Sequence, residues 1–135
     1  MLNERSAINK IKLKFGDIEK IVLIPLPFGG FFSARMTREG IMVDNLGFYP
    51  HLPWAVFVEV INFLIRKNGR PEKGFSMSAR LGDEGLSLDT VEGHLAHVIY
   101  GKKVRDIIFR RVSSISAILV WAGVRDTTTN ELILR

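Results

Sequence analysis

The chain contains no cysteine. Disulfide scaffolds, thiol nucleophiles and cysteine-ligated zinc or iron–sulfur centres are therefore excluded. Long apolar runs are missing as well. The longest, residues 52–65, is interrupted by Glu59 and Asn62, and a membrane span needs roughly 20 residues. No apolar leader follows Met1, so no secretory signal, no membrane partner and a cytoplasmic location are expected. Phosphate-cradling loops are absent: Gly29-Gly30-Phe31-Phe32 lacks the lysine and spacing of a P-loop, and no Gly-x-Gly-x-x-Gly follows a strand. Nor is there a Gly-x-Ser-x-Gly nucleophile elbow. His94 and His97 are three apart and can share a helix face, but no third ligand is placed beside them. His51 reads as a loop residue, and Ser113, Ser114 and Ser116 as polar strand-boundary residues. No cofactor, no metal and no catalytic residue are expected.

What is present is ordinary globular material. Hydrophobic residues make up 47% of the 135 and charged residues 24%, enough for one packed domain over residues 1–135. Residues 10–15 alternate lysine with Ile11, Leu13 and Phe15, the pattern of a half-buried strand with a basic outer face. Residues 20–26 read as its return strand, stopped by Pro25 and Pro27. A second hairpin is expected over residues 31–36 and 41–46. Phe32, Ala34 and Met36 should point inward, with Ile41 and Val43 opposite Met36 and Ala34. Residues 53–67 should form a helix, with a proline in the first turn and Asn68-Gly69 as the stop. That helix is apolar nearly all round, so it requires cover on more than one side, from its own chain or a second subunit.

The remainder reads as a third hairpin (residues 74–81 and 85–90), a short helix (91–100) and a strand at 106–112. A buried strand at 116–124 and a last one at 131–134 complete it. The fold class expected is α+β, a mostly antiparallel sheet of about nine strands with two helices.

One internal similarity stands out. Residues 33–46 align without gaps with residues 78–91, sharing Ser, Ala, Arg, Glu, Gly and Asp at equivalent positions. The expectation is a duplicated hairpin–helix unit (29–69 and 74–101) with pseudo-two-fold symmetry. In the hairpin register Ser33 lies opposite Asp44, and Arg35 reaches Asp44 diagonally. Arg80 and Asp89 would repeat this geometry. These pairs read as structural ion pairs or as symmetric anion sites. In a third reading, Asp44 and Asp89 serve as a metal-dependent hydrolytic or nucleolytic carboxylate pair.

Lysine plus arginine number 19 against 14 acids, a net charge of +5. The excess is patchy. Arg66, Lys67, Arg70, Lys73 and Arg80 face only Glu72 in residues 61–80, and Lys102, Lys103, Arg105, Arg110 and Arg111 face only Asp106 in residues 101–112. Between them residues 81–92 carry Asp83, Glu84, Asp89 and Glu92 and no base. Phe109 precedes Arg110-Arg111, Phe75 is near Lys73, and Phe31 shares the expected outer face of Arg35. Cations that neutralise phosphates next to an aromatic that can stack a base are the elements of a nucleic-acid surface.

Two local resemblances point the same way. The order of strands, then Gly40-Ile41-Met42-Val43, then an apolar helix resembles the positive-cofactor-4-like and Whirly proteins, which bind single-stranded DNA. Gly101-Lys102-Lys103-Val104-Arg105-Asp106 resembles the helix–turn–strand of the C-terminal domain of Gre-type transcription factors, with Arg105 where that family carries glycine. The resulting expectation is a small non-enzymatic binding module for nucleic acid, or a component of a nucleic-acid-associated complex. Its candidate contacts are Arg66, Lys67, Arg70, Lys73, Lys102, Lys103, Arg105, Arg110 and Arg111. The alternative is a protein-interaction module that self-associates through helix 53–67.

Overall fold

A computed structural model describes residues 3–26, 29–47, 50–67, 71–74, 79–127 and 132–134. The elements run α1 (Glu4–Phe15), β1 (Ile21–Pro25), β2 (Phe31–Met36), β3 (Gly40–Val43), β4 (His51–Pro53) and α2 (Trp54–Arg66). They continue with α3 (Val91–Val98), α4 (Val112–Trp121), β5 (Arg125–Thr127) and β6 (Leu132–Leu134). β1 to β4 form one antiparallel meander in chain order, and β5 and β6 a separate antiparallel pair. The class is α+β. The expectation of about nine strands and two helices is wrong: the described residues form four helices and six short strands, four of them in one antiparallel sheet.

Two of the expected strands are helices, and the described parts of the expected third hairpin (residues 74–81 and 85–90) carry no strand. Residues 10–15 are the end of α1, not a strand. The helix opens on a capping box in which Ser6 N–H donates to Asn3 Oδ1 at 2.9 Å and Asn3 N–H to Ser6 Oγ at 3.1 Å. It buries Ala7, Ile8, Ile11 and Phe15 at helical spacing and leaves Leu13 80% exposed. A strand over 10–15 would bury Leu13 but forfeit Ala7 and Ile8, so the helical face wins. Residues 112–121 are α4, not a strand. An element buried on nearly every side shows no periodicity that separates helix from strand. The expected strand at 106–112 is irregular backbone running into α4.

The second hairpin has the expected register and inner face, but its second strand ends at Val43 and not at residue 46. Ala34 pairs with Val43 and Met36 with Ile41, and Phe32, Ala34, Met36, Ile41 and Val43 are all buried. Asp44 N–H donates to the Ser33 carbonyl, so Ser33 does lie opposite Asp44. His51 is not in a loop but begins β4, opposite Met42. The strand β4 passes so close to Gly40 that a Cβ there would lie 2.1 Å from the Leu52 carbonyl oxygen.

The duplication does not extend to backbone structure. Residues 79–90 form consecutive turns without strands, and Ser78 lies outside the described residues. Burial is kept at two of the equivalent positions and lost at a third, where Leu88 is exposed and Val43 buried. Leu81 and Leu86, equivalent to Met36 and Ile41, are fully buried in a small cluster with Ala96 and Ile108.

α2 obtains its cover from the chain itself. It packs against α1, α3, β4 and β6, and Val56, Phe57, Val60, Ile61 and Leu64 are completely buried. Self-association through this helix is therefore unnecessary, because the segment expected as an N-terminal strand lies on it as α1. Asn68-Gly69 falls outside the described residues. No helix among those described is long and apolar enough to cross a membrane.

Candidate functional site: a basic turn beside an aromatic groove

The structure divides the candidate cations into those already engaged and those that face solvent. Arg66 Nη2 lies 3.3 Å from Glu59 Oε1, and Lys67 Nζ 2.9 Å from Asp89 Oδ1. Lys73 is buried; its amine is pushed down to about 8 by burial and by the charges of Arg125 and Arg110. Arg70 lies outside the described residues. The segment 66–73 thus contributes little open positive charge.

The two arginine–aspartate pairs of the repeat do not form. Arg35 pairs with Glu19 instead, and Asp44 Oδ1 accepts the Ser33 N–H at 2.9 Å. Arg80 donates from its guanidinium to the Arg105 carbonyl at 3.1 Å, while Asp89 holds Lys67. Asp44 and Asp89 are each spent on a different local contact, which removes the basis for a carboxylate pair. Among the described residues no three His, Asp or Glu side chains cluster as a metal site would require.

Acidic and histidine side chains that sequence patterning missed turn out to join the helices. His94 Nε2 lies 2.6 Å from Glu59 Oε1, with its ring stacked on Phe63 at 4.3 Å. The Glu59 carboxylate can only accept, so Nε2 carries the hydrogen and gives it to Glu59; Arg66, which can only donate, approaches the same Nε2 at 3.2 Å without a hydrogen bond. The His94 hydrogen bond foremost, with Arg66 behind it, holds the Glu59 carboxyl below its ordinary range against partial burial. This clamp ties α2 to α3. His97 Nδ1 is 3.0 Å from the Lys102 carbonyl, so the two histidines do not converge.

Glu92 is the second such device. It is 2% exposed, and its carboxylate accepts Arg111 N–H at 2.9 and 3.1 Å and Val112 N–H at 2.9 Å. These are donors at the start of α4, whose N-cap residue Arg111 provides no side-chain cap of its own. A side chain from α3 therefore caps α4. Burial pushes the Glu92 carboxyl up to about 7, against the pull of those N–H donors and of Arg111 and Arg110.

Between these two helices, residues 101–111 form the surface that remains open. Lys102, Lys103, Arg105 and Arg110 are all exposed. Arg105 is paired with Asp83 at 3.1 Å; Lys102, Lys103 and Arg110 have no ion-pair partner among the described residues. The turn is fixed from within: Asp106 Oδ2 accepts Lys103 N–H at 2.8 Å, and Arg105 N–H donates to the Leu81 carbonyl at 2.7 Å. Arg105 has a φ of +82°, a left-handed conformation that favours glycine. That is the position where the resembling turn carries glycine.

Beside the turn runs a groove of about 420 Å³, lined by Tyr100, Lys102, Ile107, Ile108, Phe109 and Arg111. Arg111 is buried, its guanidinium 3.6 Å from the Tyr100 ring centre and 5.1 Å from that of Phe109. This stacking fixes the groove wall and takes Arg111 out of the set of direct phosphate contacts. Phe109 was legible as a neighbour of Arg110-Arg111; Tyr100 and Ile107 carried no sequence signal.

Comparison of the chain with protein-family models, curated proteins and solved structures finds no match.

Proposed function

We propose that the protein is a non-enzymatic binding module for a single-stranded nucleic acid, which docks on residues 100–111. The observation that carries this reading is the juxtaposition of a partly aromatic groove with three cations that have no ion-pair partner among the described residues. Lys102, Lys103 and Arg110 would meet backbone phosphates, and the groove lined by Tyr100, Ile107 and Phe109 would take a base against its apolar wall. Phosphate contacts supply affinity, and base contacts on an apolar wall are tolerant of sequence.

The footprint is smaller than the basic clusters of the sequence suggested, because Arg66, Lys67, Arg105, Lys73 and Arg111 are paired or buried. Weak, salt-sensitive binding of a short stretch of strand follows. Titrating the isotopically labelled chain with an oligothymidylate of about ten nucleotides should shift the backbone resonances of residues 100–111 and leave those of α1 and α2 in place. Shifts absent at low salt, or centred elsewhere, would overturn the proposal.

A further inference from the structure

A surface remote in kind from the basic turn is the free edge of the sheet. β1 pairs with β2 on one side, and among the described residues no strand occupies its other side. The backbone direction along this edge can be worked out. Val22 and Ile24 lie opposite Ala34 and Phe32, and Leu26 N–H continues that series by donating to the Gly30 carbonyl. Even-numbered residues therefore turn their N–H and C=O groups towards β2. Ile21, Leu23 and Pro25 turn theirs to the open side.

The same residues expose apolar side chains on the sheet face away from the helices. Ile21 is 68% exposed, Leu23 66%, and Phe31 on the neighbouring strand 69%. Edge strands usually carry a charge, a bulge or a proline that discourages pairing. Here Lys20 and Pro25 mark the two ends, and Val22-Leu23-Ile24 between them has no such feature.

We infer that this edge pairs with the same edge of a second copy, antiparallel, with Val22 on the two-fold axis. The register is selected by the chain itself. With Val22 on the axis, Ile21 faces the partner's Leu23 and Leu23 the partner's Ile21. Every open N–H and C=O of these two residues is then matched. An axis at Leu23 would set Ile21 against the partner's Pro25, which has no N–H to give. An axis at Ile21 would set Leu23 against the partner's Glu19, whose N–H is already donated to the Met36 carbonyl at 2.8 Å. The favoured register places Ile21 and Leu23 side by side as apolar cross-strand pairs and sets no like charges opposite each other. A two-fold contact of this kind is closed, so it yields a dimer and not a fibre. It is small, so the dimer should be concentration-dependent and not obligate.

Sedimentation velocity of the full chain from about 1 µM to about 1 mM should show a monomer passing to a dimer. Leu23→Lys, at an exposed position, should hold the chain monomeric with an unchanged circular dichroism spectrum. The absence of native cysteine permits a register test that does not depend on that variant. In the double variant Ile21→Cys/Leu23→Cys, facing Cα atoms would be about 5.5 Å apart, within disulfide reach. Mild oxidation should cross-link it into covalent dimers, whereas Leu23→Cys alone should cross-link poorly. A monomer at the highest concentration, a dimer that Leu23→Lys leaves intact, or equal cross-linking of the single and double variants would each overturn the inference.

Discussion

Replacing Glu92 by glutamine tests how the two C-terminal helices are joined. The glutamine keeps the shape and one acceptor oxygen for the N–H groups of Arg111 and Val112 and removes the titration. In the native chain burial raises the Glu92 carboxyl from an ordinary value near 4.5 to about 7. A carboxyl whose folded value is raised stabilises the fold most below the unfolded value, and this contribution is lost as pH rises through the folded value. The displacement corresponds to about 3 kcal/mol. Urea unfolding of both chains should be followed from about pH 4.5 to pH 7.5. The two chains differ only in this carboxyl, so the difference in their unfolding free energies isolates Glu92. The native chain should lose about 3 kcal/mol relative to the variant across this window. A difference that is flat with pH, or that favours the native chain as pH rises, would refute the burial argument. Glu92→Ala should be worse than either at neutral pH, by about 2–4 kcal/mol, because it leaves buried N–H donors at the head of α4 unmatched.

Two other positions test the packing. Gly93 sits in α3 where a Cβ would stand 2.0 Å from the Ser87 carbonyl oxygen, so Gly93→Ala should cost about 1–3 kcal/mol despite alanine's better helix propensity, read as a lower denaturant midpoint. Phe57→Ala should cost about 3–5 kcal/mol at every protein concentration; a loss that disappears on concentrating the protein would mean that α2 is covered by a second copy after all.

The parts of the fold that were legible in the sequence are those in which one physical signal acts alone. Residues 31–43 alternate with period two and turn at Gly40, so register and inner face could both be read. The apolar run of α2 is too long for a strand. The failures lie where signals compete. Lys10-Ile11-Lys12-Leu13-Lys14-Phe15 alternates like a strand, but Asn3 and Ser6 cap a helix upstream, and Ala7 and Ile8 extend the apolar face at helical spacing. The run of α4 is apolar in every direction and carries no period. Residues 79–90 repeat the composition of the β2–β3 hairpin and bury Leu81 and Leu86 at two of its inner positions, but fold as turns.

The site was legible only in outline. Clustering in the sequence located residues 102–111 but could not show which cations are spent. Glu59, Asp83 and Asp89 lie 7 to 22 positions from the basic residues they neutralise. Burial of Lys73 and the stacking of Arg111 on Tyr100 are likewise set by tertiary structure. Glu92 looked like one acid in an acidic stretch; its role depends on a helix start 19 to 20 residues away.

The claim that residues 100–111 bind a nucleic-acid strand is tested most directly by the salt dependence of binding. Fluorescence anisotropy with a labelled oligothymidylate should be recorded from about 50 to 200 mM salt for the native chain and for Lys102→Ala/Lys103→Ala/Arg110→Ala. Three phosphate contacts on a single strand correspond to a slope of about −2 in log affinity against log salt. The native chain should show a slope of that size, and the triple variant should lose most of it together with its affinity. No binding at the lowest salt, or a variant whose slope equals that of the native chain, would contradict the account.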